Sequence, residues 1–297
     1  MTVFLEFSVD DRPGAISPDD AGTIAALAGA AGLAGLRLTD PGVPHRGLDP
    51  SLVAAYLADR YPGLPIVFDA PTTGNAPYNL ARRAASVDRA SGGRTGLVLR
   101  AGGGDEVSAA LTPDGPADPA ERWSEYSRIL RELWESFPAS ALIGDQDAGR
   151  VIDDAQLTPI DHEGDYYRVR GPLDGPASPQ GRPVLLAADP HVLGYRRIAD
   201  TADAVLLTAD QLPAAIAEFA AARRRPALLL TAPADTGVPE LRRLRGEYPL
   251  TGVVLSVTTP DEAVHAIRSV APRLHTASPT TLQAVLSADP VPAGAGR

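Results

Sequence analysis

Eight short apolar runs, each followed by a helix-like stretch, constrain this chain more than any other feature. The runs are Val3–Phe7, Gly35–Thr39, Pro65–Asp69, Gly96–Arg100, Pro183–Ala187, Ala204–Leu207, Ala227–Thr231 and Gly252–Val257. Helical spacing is expected at Asp19–Ala34, Leu52–Arg60, within Asn75–Arg94, and at Pro119–Phe137, Val192–Thr201, Leu212–Arg224, Pro239–Glu247 and Asp261–Val270. Strands that are apolar throughout are buried on both faces, as in a parallel sheet. A helix after each strand implies right-handed crossovers between parallel neighbours. Eight such units predict a (β/α)8 TIM barrel. An open doubly wound sheet is the alternative, but no glycine-rich phosphate turn follows the first run.

One domain over residues 1–297 suits this length. The alternation breaks at 138–182, a polar segment rich in Pro and Gly with one strand-like piece, Tyr166–Val169. It is read as an insertion hairpin between strands four and five. The tail, 274–297, is Pro-rich and is expected to wrap or fray. In helix Pro119–Phe137, Trp123, Tyr126, Ile129, Leu130, Leu133 and Trp134 share one face, with Asp118 as N-cap and Glu121 as its capping-box partner.

Composition removes several chemistries. The chain has no cysteine, so thiol nucleophiles, disulfides and Cys-ligated metals are excluded. It has no lysine either, which excludes a Schiff base or a P-loop lysine. A net charge of −10 argues against nucleic acid as a partner. The start, MTVFLEFSVDD, lacks the basic opening and long apolar core of a signal peptide. No apolar run approaches the roughly 20 residues of a membrane span, so a soluble cytoplasmic protein is expected. His45, His265 and His275 form no metal-ligand spacing, and no metal is expected. In a barrel the chemistry sits at the C-terminal ends of the strands. That nominates Ser8 to Asp10, Asp40, Asp69 with Thr72 and Thr73, Arg100, Ala188 to His191, Thr208, Thr231 and Ser256.

Two stretches carry a resemblance. NAPYNLARRAASVDRASGGRTG, from Asn75, and PIDHEGDYYRVRGPLDGPASPQGRPVLL, Pro159–Leu186, resemble two ordered signatures of the nitrilotriacetate monooxygenase family. These are luciferase-like, flavin-dependent monooxygenases. LAGLRLTD, ERWSEYSRILRELWESF and TTLQAVLSADP are similar to further family segments. The resemblance implies a barrel, usually a homodimer, that uses reduced FMN from a separate flavin reductase to activate O2 against a small organic substrate. Relatives carry a long insertion between strands six and seven, which a plain helix replaces here.

By the same resemblance, Asp40, Thr72, Thr73 and Tyr78 would hold the flavin ring, with Arg100 and His191 near the phosphate or substrate. Each has a second reading. Asp40 either meets the ring edge or caps a loop, and Thr72 and Thr73 are similar. Tyr78 is flavin-facing or a core tyrosine. Arg100 binds an anion or neutralises Asp40, Asp69 or Asp189. His191 is a donor or general base, or an incidental helix residue. Asp161 and His162 are adjacent, so an extended strand would point them to opposite sides, as hairpin scaffolding. Some family positions have changed: Ala76 replaces an acid–base residue, Val98 an asparagine, and Asp189-Pro190 part of a phosphate-binding Gly-x-Ser-x-x-Gly turn. A family member that no longer binds FMN, and instead binds another ligand or partner or works without flavin, therefore stands as the alternative.

Overall fold

The structure, a computed structural model, describes residues 1–40, 47–102, 118–274 and 282–287. The first four barrel strands are β1 (Thr2–Phe7), β2 (Gly35–Leu38), β3 (Ile66–Pro71) and β4 (Thr95–Arg100). Helices α1 (Pro18–Ala30), α2 (Pro50–Arg60), α3 (Pro77–Ala90) and α4 (Pro119–Glu135) follow them in turn. The insertion holds two antiparallel pairs, β5 (Leu142–Asp145) with β6 (Arg150–Ile152), and β7 (His162–Glu163) with β8 (Arg168–Val169). The barrel resumes with β9 (Val184–Ala187), α5 (Pro190–Leu193), α6 (Tyr195–Thr201), β10 (Ala204–Leu207) and α7 (Leu212–Ala220). It ends with β11 (Ala227–Pro233), α8 (Val238–Glu247), β12 (Gly252–Ser256), α9 (Pro260–His265) and α10 (Leu282–Ser287).

The eight long-range strands close in the order β1-β12-β11-β10-β9-β4-β3-β2, all parallel. Alternation sorts their side chains. Phe4, Val67, Val98, Leu186, Leu206, Leu229 and Val254 point inward and form one cluster. Leu5, Leu36, Leu38, Phe68 and Leu97 point outward under the helices. With both faces dry, the runs read as continuously apolar. The expected face of α4 is buried as a unit, with Trp123 and Tyr126 at 0 % exposure.

Two local expectations change, and between the two outcomes expected for the tail the described part takes one. The helix expected over Val192–Thr201 breaks at Gly194, whose φ of 80° suits glycine, into α5 and α6. Asp118 caps α4 by accepting from the Ala120 N–H at 2.8 Å, while Glu121 accepts from the Tyr166 hydroxyl at 3.4 Å. The tail does not simply fray: α10 inserts Leu282, Val285 and Leu286 into the inward cluster at the strand starts. Gly96 makes room for it, since a Cβ there would come within 2.7 Å of Leu282 Cδ2. The barrel thus has an apolar floor and an open mouth.

Candidate active site at the barrel mouth

One inward layer above the apolar cluster, the barrel turns polar. Glu6 stands two residues beyond Phe4, Asp69 beyond Val67, and Arg100 beyond Val98. Arg37 takes the matching place on β2, where it is buried with Glu6 and Asp69. Its Nε and Nη2 donate to Asp69 Oδ1 and Oδ2 at 2.9 and 2.8 Å. This is the two-pronged geometry that makes Arg–carboxylate pairs strong. Arg37 Nη1 also donates to Glu6, whose other oxygen accepts from the Ser256 hydroxyl. Arg100 reaches Asp69 through Nη1 at 3.3 Å and Asp189 through Nε at 2.8 Å. A continuous ladder, Ser256–Glu6–Arg37–Asp69–Arg100–Asp189, therefore runs across consecutive strands of the mouth. Burial alone would favour losing the Arg37 proton, but Asp69 and then Glu6 outweigh it and hold the guanidinium above its ordinary pKa.

The ladder opens at its Arg100 end into a cleft of about 790 Å3, within the range of small-molecule and cofactor sites. Asp40, Asp69, Thr73, Arg100, Gly102 and Asp189 are on its wall. Gly102 has φ 67°, and a Cβ there would approach Thr73 Oγ1 to 2.5 Å, so the wall is close-fitting. Asp189 adopts left-handed backbone angles, 56° and 54°. Its carbonyl accepts the N–H groups of Val192 and Leu193 at 2.9 and 3.1 Å, and Pro190 has none. With its carboxylate on Arg100, this turn offers a phosphate little to hold.

Outside the mouth, the two long sequence signatures meet in a clamp. Gln180 Nε2 donates to Asp88 Oδ1 at 2.8 Å and to the Thr95 carbonyl at 2.9 Å, while Arg82 pairs with Asp174 at 2.8 Å. Asp88 is fully buried, which pushes its carboxyl above the usual carboxylate range. Glu125 of α4 lies 3.0 Å from His162 Nε2 and accepts the N–H groups of Tyr166 and Tyr167 at 3.1 and 2.9 Å. Arg182 donates to both oxygens of Asp203 at 2.7 and 2.8 Å. The luciferase-like monooxygenase family model matches residues 1–234, which take in the mouth ladder from Glu6 to Asp189 and this whole clamp. The chain belongs to that family.

Among its relatives, nitrilotriacetate monooxygenase component A of Aminobacter aminovorans is 33% identical over 171 residues, 57% of this chain and 38% of that protein. One component of the pristinamycin IIA synthase of Streptomyces pristinaespiralis is 30% identical over 197 residues, 66% of this chain and 61% of that protein. The chain thus spans well under half the length of the nitrilotriacetate relative. A structure of riboflavin lyase with modified FMN and riboflavin superposes with a TM-score of 0.82 at 20% identity, covering 98% of this chain and 96% of that one. This likeness concerns the fold alone.

The expected site residues separate in this luciferase-like barrel. Asp40, Thr73 and Arg100 meet at the cleft. Thr72 is buried behind it and donates its hydroxyl to the Ala101 carbonyl, tying the ends of β3 and β4. Tyr78 is half-buried against the insertion, where its hydroxyl donates to the Pro172 carbonyl at 3.4 Å. His191 is exposed on α5. Val98 sits one layer below Arg100 at 0 % exposure, inside the apolar cluster. Ala76 is the N-cap of α3 and makes no side-chain cap. His162 serves the clamp, while Asp161 points away toward Arg170 at 3.7 Å. His45, His275 and the glycines at 103 and 104 lie outside the described residues. Among the described residues no group of three His, Cys, Asp or Glu side chains could hold a metal ion.

Sequence reasoning missed Glu6 and Arg37, which sit inside apolar runs. The available signal was period two: a lone charge at an inward position of a buried strand needs a partner across the barrel.

Proposed function

We propose that this chain is a flavin-dependent monooxygenase of small organic molecules, with the flavin ring in the mouth cleft. The supporting observation is the ladder that fixes Arg100, a half-exposed cation, on the wall of a cleft of cofactor size in a barrel of this family. The wall suits the ring: Thr73 and Arg100 give donors, Asp40 an acceptor, and Gly102 lets the backbone approach. It does not suit the phosphate at the Asp189 turn. When bound in reduced form, the flavin would supply two electrons to O2, one oxygen atom going to the substrate and the other to water.

The chain's own part is to orient and to exclude water. Asp69 and Asp189 hold Arg100 in one pose, and Thr72 fixes the strand ends beneath the ring. His191 at the rim is the proton-handling candidate, and Tyr78 a support of the loop before α3. If His191→Gln and Tyr78→Phe leave turnover unchanged, both roles are removed. Reduced FMN would come from a separate reductase, and the active form would be a cytoplasmic homodimer; a one-chain mass by light scattering would remove the dimer.

The test is direct titration. Purified protein should quench flavin fluorescence and gain thermal stability with oxidised or reduced flavin. No binding at tens of micromolar would end this reading. It would leave the second, a family member that has lost flavin, which the Asp189-Pro190 turn favours.

A further inference from the structure

We infer that this mouth takes a flavin through its ring and polyol chain and not through its phosphate, so that riboflavin binds at least ten times more tightly than FMN at low salt. The inference rests on the flavin reading above and narrows it to an uncharged form of the ligand.

Charge on the wall is the first ground. Among the described residues, the cleft presents four carboxylates, Asp40, Asp49, Asp69 and Asp189, against two guanidinium groups, Arg83 and Arg100. Both cations are already engaged. Arg100 gives Nη1 to Asp69 and Nε to Asp189. Arg83 gives Nη2 to Asn75 Oδ1 at 2.7 Å and faces Asp49 at 3.5 Å. Arg37 below them is shared between Asp69 and Glu6. Among the described residues, a dianion entering this cleft meets more carboxylates than guanidinium groups, and the guanidinium groups it meets already face carboxylates. The ribityl hydroxyls face the opposite situation, because each can donate to a carboxylate.

The helix starts are the second ground. In a (β/α)8 barrel the helices begin at the mouth, and their free N–H groups are where such folds hold phosphate. At four of the helix starts the chain's own oxygens occupy them. Ser17 and Asp20 close α1, Asp49 closes α2, Asp118 closes α4, and Thr259 closes α9. Glu262 further accepts the N–H and hydroxyl of Thr258 beside the α9 start. Five described helices lack a side-chain cap: α3, α5, α7 and α8 carry Pro77, Pro190, Pro213 and Pro239 in the first turn, and α6, which follows Gly194, is only seven residues long.

The experiment is a pair of fluorescence titrations, riboflavin and FMN, on the wild-type chain and on Asp189→Asn, at low and moderate ionic strength. The wild type should favour riboflavin at least tenfold, with the gap narrowing as salt screens the carboxylates. Asp189→Asn should tighten FMN several-fold relative to riboflavin and so narrow the gap between them. Tighter binding of FMN than of riboflavin by the wild type would overturn the inference and leave the flavin reading standing. So would a preference that neither salt nor Asp189→Asn moves. If neither flavin binds, the flavin reading fails and this inference falls with it. The wild-type ratio and its salt dependence decide the matter even if the variant does not fold.

Discussion

The clamp and the mouth put the same kinds of side chain to opposite uses. In the clamp, Glu125 and Asp203 accept several donors from their own chain and Asp88 accepts two on Oδ1, and the result is a fixed joint between α3, α4 and the insertion. In the mouth, Arg100 is tied to Asp69 and Asp189, but 38% of its side chain faces open space. The long signatures mark the joint. The ladder beneath the cleft is spelled by single residues up to 250 positions apart. A conspicuous motif here reports how the barrel is held, while the residues at the candidate site leave no contiguous trace.

That contrast can be broken at the ladder first. Among the described residues, Arg37→Met leaves buried Glu6 with only the Ser256 hydroxyl and buried Asp69 with only Arg100 at 3.3 Å, and should cost about 3–5 kcal/mol in chemical denaturation. Adding Glu6→Gln and Asp69→Asn should recover most of it. A loss of the size seen for a surface pair would show that the ladder does not support the barrel.

The clamp offers the next largest effect. Asp203→Asn should cost about 2–3 kcal/mol at neutral pH, because Arg182, Arg224 and the Leu185 N–H lose a charged acceptor. Burial alone would raise the Asp203 carboxyl, but Arg182 holds it below the usual range. Its folded pKa is thus depressed, so the stabilisation is present above the unfolded value of about 3.9 and is lost as pH falls through the folded one. The difference between wild type and variant should therefore close in the acid range; a gap that stays constant would contradict the assignment.

Gln180→Ala should cost about 1–2 kcal/mol and leave flavin affinity alone, since it removes three hydrogen bonds far from the cleft. A change in affinity would show that the clamp reaches the site. Arg100→Gln should do the reverse. Its exposure limits the stability change to under about 1 kcal/mol, while flavin affinity should fall several-fold. A stability loss as large as that of Arg37→Met would place Arg100 with the scaffold.

The barrel was legible because period and burial agree over eight repeats, and strand Ala204–Leu207 falls where the apolar run does. Helix ends were less legible. Gly32, at φ 70°, stops α1 short of the expected Ala34 by a turn that the run of small apolar residues conceals. The α10 segment was hidden by its brevity, since six residues carry too little periodicity to stand out. At the mouth, Arg100 was noticed as a strand-end cation with Asp69 and Asp189 among its possible partners, and the structure gives it both. Glu6 and Arg37 read as interruptions of apolar runs, because only the pairing of β1, β2 and β3 brings positions 31 and 32 residues apart into contact.

The apolar floor carries a consequence for how this protein is made. Chains leave the ribosome N-terminus first, at roughly 5–20 residues per second. All eight strands emerge before Leu282, so a nascent barrel can close its wall while its base is still a ring of exposed aliphatic side chains. The last helix acts as a stopper fitted after the vessel is formed. A chain cut ahead of Leu282 should therefore keep its mouth and its signatures and yet behave in the cell as a client of chaperones.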